Sequence, residues 1–155
     1  MGKVTEKVRL TSLFDRTKSR EVVAVIDAGA TLLVLPQDLV EELGLTRIRD
    51  VPARERALSP FRISRSARHH RRARGARPGK VRYGNNSVEA KGVYGAVTLE
   101  LKGRRGVFEA LAEAPGSEPL VGQVVLESLD LTVDPRTRRV IPNPQSPETP
   151  MVEIL

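Results

Sequence analysis

The chain has 155 residues, 29% of them charged, a formal net charge of +7, and no cysteine or tryptophan. That length suits one domain with a real core, and the lack of cysteine excludes disulfides, thiolate zinc sites, iron–sulfur clusters and a cysteine nucleophile. The only histidines, His69 and His70, are adjacent in an Arg-rich stretch, which argues against a Ser-His-Asp triad or a multi-histidine metal site. Aromatic residues are scarce (Phe14, Phe61, Phe108, Tyr83 and Tyr94), so the core is expected to be aliphatic. No apolar run approaches the roughly 18 residues needed to span a bilayer, and the opening residues lack a signal-peptide apolar stretch. A cytoplasmic protein without membrane contact is the expectation.

Residues 4–10 alternate and predict a first strand; Ser12 to Arg20 is polar and reads as a hairpin loop. Val22-Val23-Ala24-Val25-Ile26 is a β-branched run that suits a strand buried on both faces. It ends in the small residues Asp27-Ala28-Gly29-Ala30, which permit a tight turn. Thr31 to Leu35 is again strand-like. Pro36 then stands where a first helical residue belongs, followed by a short helix to Leu43 whose apolar face is Leu39, Val40 and Leu43, with Gly44 as the stop.

Past Lys80 the alternation resumes. Val81 to Val93 bends at Gly84-Asn85-Asn86, a hairpin signal. Val97, Leu99 and Leu101 share one strand face, Lys102-Gly103-Arg104 turns the chain, and Gly106 to Glu113 returns. After a Pro/Gly loop come Leu120-Val121-Gly122 and a second short helix, Gln123 to Leu129, with Val124, Val125 and Leu129 inward. A closing hairpin spans 131–141, and the Pro-rich tail from Pro142 is expected to be extended or mobile. Many short strands and two short helices predict an all-β domain, closed or barrel-like.

The charge is not evenly spread. Between Arg47 and Arg82 lie 13 Lys/Arg against 2 Asp/Glu, whereas the rest of the chain has 13 against 17. A mildly acidic domain is thus interrupted, at about 47–80, by a basic segment with one aromatic residue and no apolar period, which is expected to be disordered. The first reading is a solvated insertion or a stretch translated out of frame. The second is an arm through Arg65 to Arg77 that binds nucleic acid or an acidic partner by releasing counterions.

One feature carries chemistry. An apolar strand delivers a carboxylate, Asp27, into a small-residue turn, and such a group needs partners there; the amides of Gly29 and Ala30 are the nearest candidates. The order Val-Ile-Asp27-Ala28-Gly29-Ala30-Thr-Leu-Leu-Val-Leu-Pro, a short helix, a hairpin, and then Leu120-Val121-Gly122 before another helix resembles the retropepsin-like aspartic proteases, closest to their small prokaryotic members. The resemblance covers residues 4–46 and about 81–141. Its two motifs lie about 95 residues apart, longer than usual by about the length of the basic segment.

The resemblance implies a retropepsin-like closed barrel, with Asp27 as the catalytic acid and Ala28-Gly29-Ala30 as the rest of its turn. It makes Leu120-Val121-Gly122 the motif packed behind that turn, and the hairpin at Gly84-Asn85-Asn86 the flap. The implied reaction is cofactor-free hydrolysis of peptide or protein substrates between two carboxylates that share a proton. Only one Asp-x-Gly-Ala turn is present, and Asp134, before Pro135, suits a surface turn, so the second carboxylate is expected from a second copy in a homodimer. Ala28 departs from the family, whose members carry Thr or Ser there. The alternative is a catalytically silent β domain whose Arg-rich segment binds nucleic acid or an acidic partner.

Overall fold

A computed structural model describes residues 2–54, 80–83 and 86–150. Contacts divide the chain into two compact units, Met1–Arg49 with Val93–Leu155, and Asp50–Gly92.

In the larger unit, β1 (Val4–Ser12) pairs antiparallel with β2 (Ser19–Ile26), in register from Val4↔Ile26 to Thr11↔Ser19. Period-two alternation puts Val8 and Leu10 of β1, and Ala24 and Ile26 of β2, into the core. The expectation that β2 is buried on both faces is corrected. Val23 is 57% exposed, opposite Lys7 of β1, because this sheet covers only one face of the strand. Next come β3 (Leu33–Pro36), α1 (Gln37–Glu42), β4 (Thr46–Arg54), β5 (Lys80–Tyr83), β6 (Asn86–Leu101), β7 (Arg104–Glu113), β8 (Leu120–Val121), α2 (Gln123–Ser128), β9 (Leu131–Asp134) and β10 (Arg139–Pro142). The protein is all-β with two short helices, as the alternation predicts.

Strand pairings run β1-β2-β8-β3-β7-β6, and β6 pairs back with β1 from Arg9↔Glu100 to Ser12↔Val97. Six strands therefore form a closed circuit of hydrogen-bonded neighbours, with β4 and β5 as further partners of β6. Inside it lie Val8, Leu10, Leu33, Leu35, Val97, Leu99 and Leu101, each about 1% exposed or less, an aliphatic core as composition requires. The β6–β7 hairpin closes in a two-residue turn with Lys102 at φ 51° and Gly103 at φ 76°, the doubly left-handed geometry that matches strand twist.

Both helices lay one face on this core. Leu39, Val40 and Leu43 are buried at α1, as expected. At α2 the buried set is Val125, Leu126 and Leu129, while Val124 is 40% exposed. The expected inward role of Val124 is thus wrong and Leu126 takes its place, since Leu126 and Val125 stand three and four residues before Leu129 on one helical stripe. β9 and β10 form a separate two-stranded sheet. The start of the Pro-rich tail is not loose: Asn143 N–H donates to Asp130 O at 3.0 Å, and Ser146 is buried.

In the smaller unit, β5 pairs antiparallel with β6 from Lys80↔Glu89 to Tyr83↔Asn86, so the expected hairpin forms. Gly84 and Asn85 lie outside the described residues, as do 55–79, including Arg65 to Arg77. The expected start of a disordered insertion at about 47 is corrected, because β4 runs on to Arg54. Its charges hide the strand from composition: Arg49 is ion-paired to Glu109 of β7 at 2.6 Å.

The β1–β6 seam that completes the circuit rests on Leu10 against Leu99, partners in register and both fully buried. Leu99→Ala should cost about 3 kcal/mol in urea unfolding. Thr98→Ala, on the outer face, should stay within about 0.5 kcal/mol.

Candidate active site

Asp27 follows the last residue of β2. Its main-chain N–H donates to Val121 O at 3.0 Å, which stops the strand at a fixed point. Its carboxylate Oδ1 accepts the Gly29 N–H at 2.8 Å, and its carbonyl accepts the Ala30 N–H at 3.0 Å. The turn thus holds its own acid, as the small residues suggest. Gly29 supplies the amide to the carboxylate, whereas Ala30, also expected to do so, donates to the main chain instead.

The turn is braced from behind by 120–124. The two residues of β8 sit between the strands on either side of the turn, parallel to β2 (Val25↔Leu120, Ile26↔Val121) and antiparallel to β3 (Val34↔Leu120). Pro119 O accepts the Val25 N–H at 2.8 Å. At the start of α2, Gln123 N–H donates to Ala30 O at 2.7 Å and Val124 N–H to Thr31 O at 3.0 Å. Helix N-termini leave such amides without intrahelical partners. No side chain caps this helix, and the carbonyls of the turn do that work. Gly122 makes the approach possible, since a Cβ there would stand 2.4 Å from Leu32 O and 2.8 Å from Ala30 O.

The front of the turn is open. Asp27 is half-buried, while Ala28, Gly29 and Thr31 are exposed, and the exposed Val124 lies beside them at the start of α2. Asp134 belongs to a different structure. Its carboxylate accepts the Arg136 N–H at 2.9 Å and the Thr137 hydroxyl at 2.8 Å. Those bonds, the amide first, hold it below its ordinary pKa, the opposite of what a proton donor requires. Asn86 begins β6; nothing is described of Gly84 and Asn85. Among the described residues no group of three or more His, Cys, Asp or Glu could hold a metal ion.

The structure therefore brings Asp27, Ala28, Gly29 and Ala30 together with Leu120, Val121 and Gly122. The α2 amides of Gln123 and Val124 also serve the turn and were not singled out from sequence, because main-chain donors have no side-chain signature. The Gly before the helix was their only trace.

No family model and no curated protein matches the chain. Among solved structures it aligns with the EIAV protease complexed with the inhibitor HBY-793, at 20% identity and a TM-score of 0.45, over 83% of this chain and 88% of that one.

Because the atoms facing Gly122 are main chain and cannot swing aside, Gly122→Ala should cost about 2–3 kcal/mol in urea unfolding. An unchanged midpoint would mean that α2 does not seat on the turn.

Proposed function

We propose that the protein is a retropepsin-like aspartic endopeptidase that works as a homodimer, with Asp27 of each copy forming the catalytic pair. The observation that carries this reading is the Asp27 turn itself. A strand-ending carboxylate is oriented by Gly29, braced from behind by Val121 and the first amides of α2, and left open in front. A merely structural Asp cap has no need of so rigid a support on one side and an exposed Ala28-Gly29 tip on the other.

In this reading one Asp27 carboxylate takes a proton from water as the oxygen attacks the peptide carbonyl, while the protonated Asp27 of the other copy donates to the carbonyl oxygen. The tetrahedral diol then collapses. As the C–N bond breaks, the carboxyl that took the water proton gives it to the amine nitrogen and the other carboxylate takes a proton from a diol hydroxyl, so an amine and a carboxylic acid leave and the pair again shares one proton. No metal or cofactor takes part. Leu120-Val121-Gly122 keeps the turn in place, and the β5–β6 hairpin with Gly84, Asn85 and Asn86 is assigned as the flap. The basic stretch is assigned as an insertion into the peptidase domain, residues 1–141, with the Pro-rich C-terminal stretch following it.

Ala28 supports a second reading, a weak or silent relative, because the hydroxyl that would bond across the dimer axis is missing. Asp27→Asn separates the two. It should abolish cleavage of a denatured protein substrate while leaving the urea midpoint within about 0.5 kcal/mol. Salt-sensitive binding to a polyanion that survives this change, with no cleavage by the parent, would favour the silent domain.

Ala28 is exposed in the protomer, so a larger side chain fits there without repacking. Ala28→Thr should therefore restore one inter-subunit hydrogen bond per copy. Two bonds at about 1 kcal/mol each tighten the dimer by roughly one to one and a half decades. Sedimentation equilibrium of both proteins reads this directly, and a weaker dimer in the variant would place the turn away from the subunit interface.

A further inference from the structure

Two of the buried polar residues, Arg104 (7% exposed) and Ser146 (5%), belong to one cluster at the far end of α2 from the Asp27 turn. Arg104, the first residue of β7, donates through Nη1 to Leu129 O (3.0 Å) and Asp130 O (2.5 Å), and through Nη2 to Ser146 O (2.6 Å). The Asp130 carboxylate lies 3.7 Å from Nη1. It accepts Asn143 Nδ2–H at 2.8 Å and the Ser146 hydroxyl. Asp130 also holds a left-handed backbone, φ 52°, a conformation an Asp tolerates better than a bulkier residue does.

Burying a guanidinium is costly unless its donors are met, and an apolar side chain would fill the same space without that cost. What the arginine adds is a three-way fix of geometry: the start of β7, the carbonyl end of α2 and the segment Asn143–Ser146. Leu129 and Asp130 directly follow α2, and the first amides of the same helix hold Ala30 and Thr31. A six-residue helix is only about 9 Å long and moves as one body. A shift at the Arg104 end is therefore delivered to the Asp27 turn.

We propose that Arg104, Asp130 and the strap Asn143–Ser146 form a positioning latch that sets α2 and, through it, the Asp27 turn. Arg104 is a positioning residue and touches no substrate. The effect on catalysis rests on the peptidase reading; the mechanical coupling does not.

The test uses the full chain carrying Asn143→Ala and Ser146→Ala, which removes the strap's two side-chain bonds to the Asp130 carboxylate, beside Arg104→Lys, which keeps the charge but not the three-way reach. Amide hydrogen exchange at Gln123 and Val124 should rise about tenfold in both variants, with exchange at Val8 and Leu10 unchanged. Turnover of a peptide substrate should fall about fivefold or more, with KM within about twofold, since the turn is displaced while the binding surface remains. Unchanged exchange at Gln123 and Val124 would overturn the latch, and so would an equal rise in β1, which marks general destabilisation. A higher KM at constant kcat would also overturn it. If the parent cleaves nothing, the peptidase reading falls, and the exchange pattern alone decides the latch. If Arg104→Lys does not fold, the strap variant still decides it.

Discussion

The rest of the molecule depends on a main-chain cross-link. Asp27 N–H to Val121 O, Gln123 N–H to Ala30 O and Val124 N–H to Thr31 O tie a turn between two strands to a segment about 95 residues later. These bonds satisfy both the turn's carbonyls and the uncapped start of a helix, groups that would otherwise be left unpaired at the edge of the core. They also explain why β8 has two residues. A longer strand would push α2 away from the turn; a shorter one would leave Val25 and Val34 without partners. Gly122 is the contact on which the arrangement closes, because any side chain there meets carbonyl oxygens.

Seen this way, the exposure of the turn's front follows from the way its back is held. Bracing uses up the inward-facing amides and carbonyls, so Ala28 and Gly29 are left exposed at the front of the turn. Under the dimeric reading this tip is where two copies meet. Two carboxylates brought together there gain chemistry that neither has alone, since like charges in close approach force one proton to be shared. Ala28 then matters for geometry more than for reactivity: it leaves the carboxylates present and removes a tie between the turns that carry them.

Much of this was legible in the amino-acid order. The run Val22 to Ile26 into Asp27-Ala28-Gly29-Ala30 marks a strand and its turn, because glycines and β-branched runs report backbone demands directly, whereas the place of Leu120-Val121-Gly122 behind the turn came only from the family resemblance. The illegible parts share a physical cause. Val23 looks buried from its neighbours, yet burial depends on what covers the outer face of the sheet, which composition does not state. Val124 and Leu126 differ by a rotation of a six-residue helix, too short for periodicity to choose between them. β4 is masked by charge, although Arg49 stands in a strand with Glu109 as its partner. The Pro-rich tail reads as loose because its anchors are single atoms on distant residues.

Those anchors decide how the closing hairpin is attached. Among the described residues β9 and β10 share no ladder with the main sheet, so apolar contact through Leu131 and Val140 cannot by itself set their orientation. Two polar ties do. Glu6 of β1 accepts the Val140 N–H at 3.0 Å while its other oxygen meets Lys102 Nζ at 2.9 Å, and Arg104 holds the carbonyls of Leu129, Asp130 and Ser146. Exposed pairs such as Lys7–Glu21 and Arg9–Glu21 contribute little, since solvent competes for both partners. A buried guanidinium is different. Its donors lie in a fixed plane, so directional bonds to carbonyls replace water and specify where each strand end goes. Both ties sit at the β6–β7 turn, one through Lys102 and the other through Arg104. A hairpin of the barrel is thus what fixes the hairpin outside it, and, through the end of α2, the back of the Asp27 turn as well.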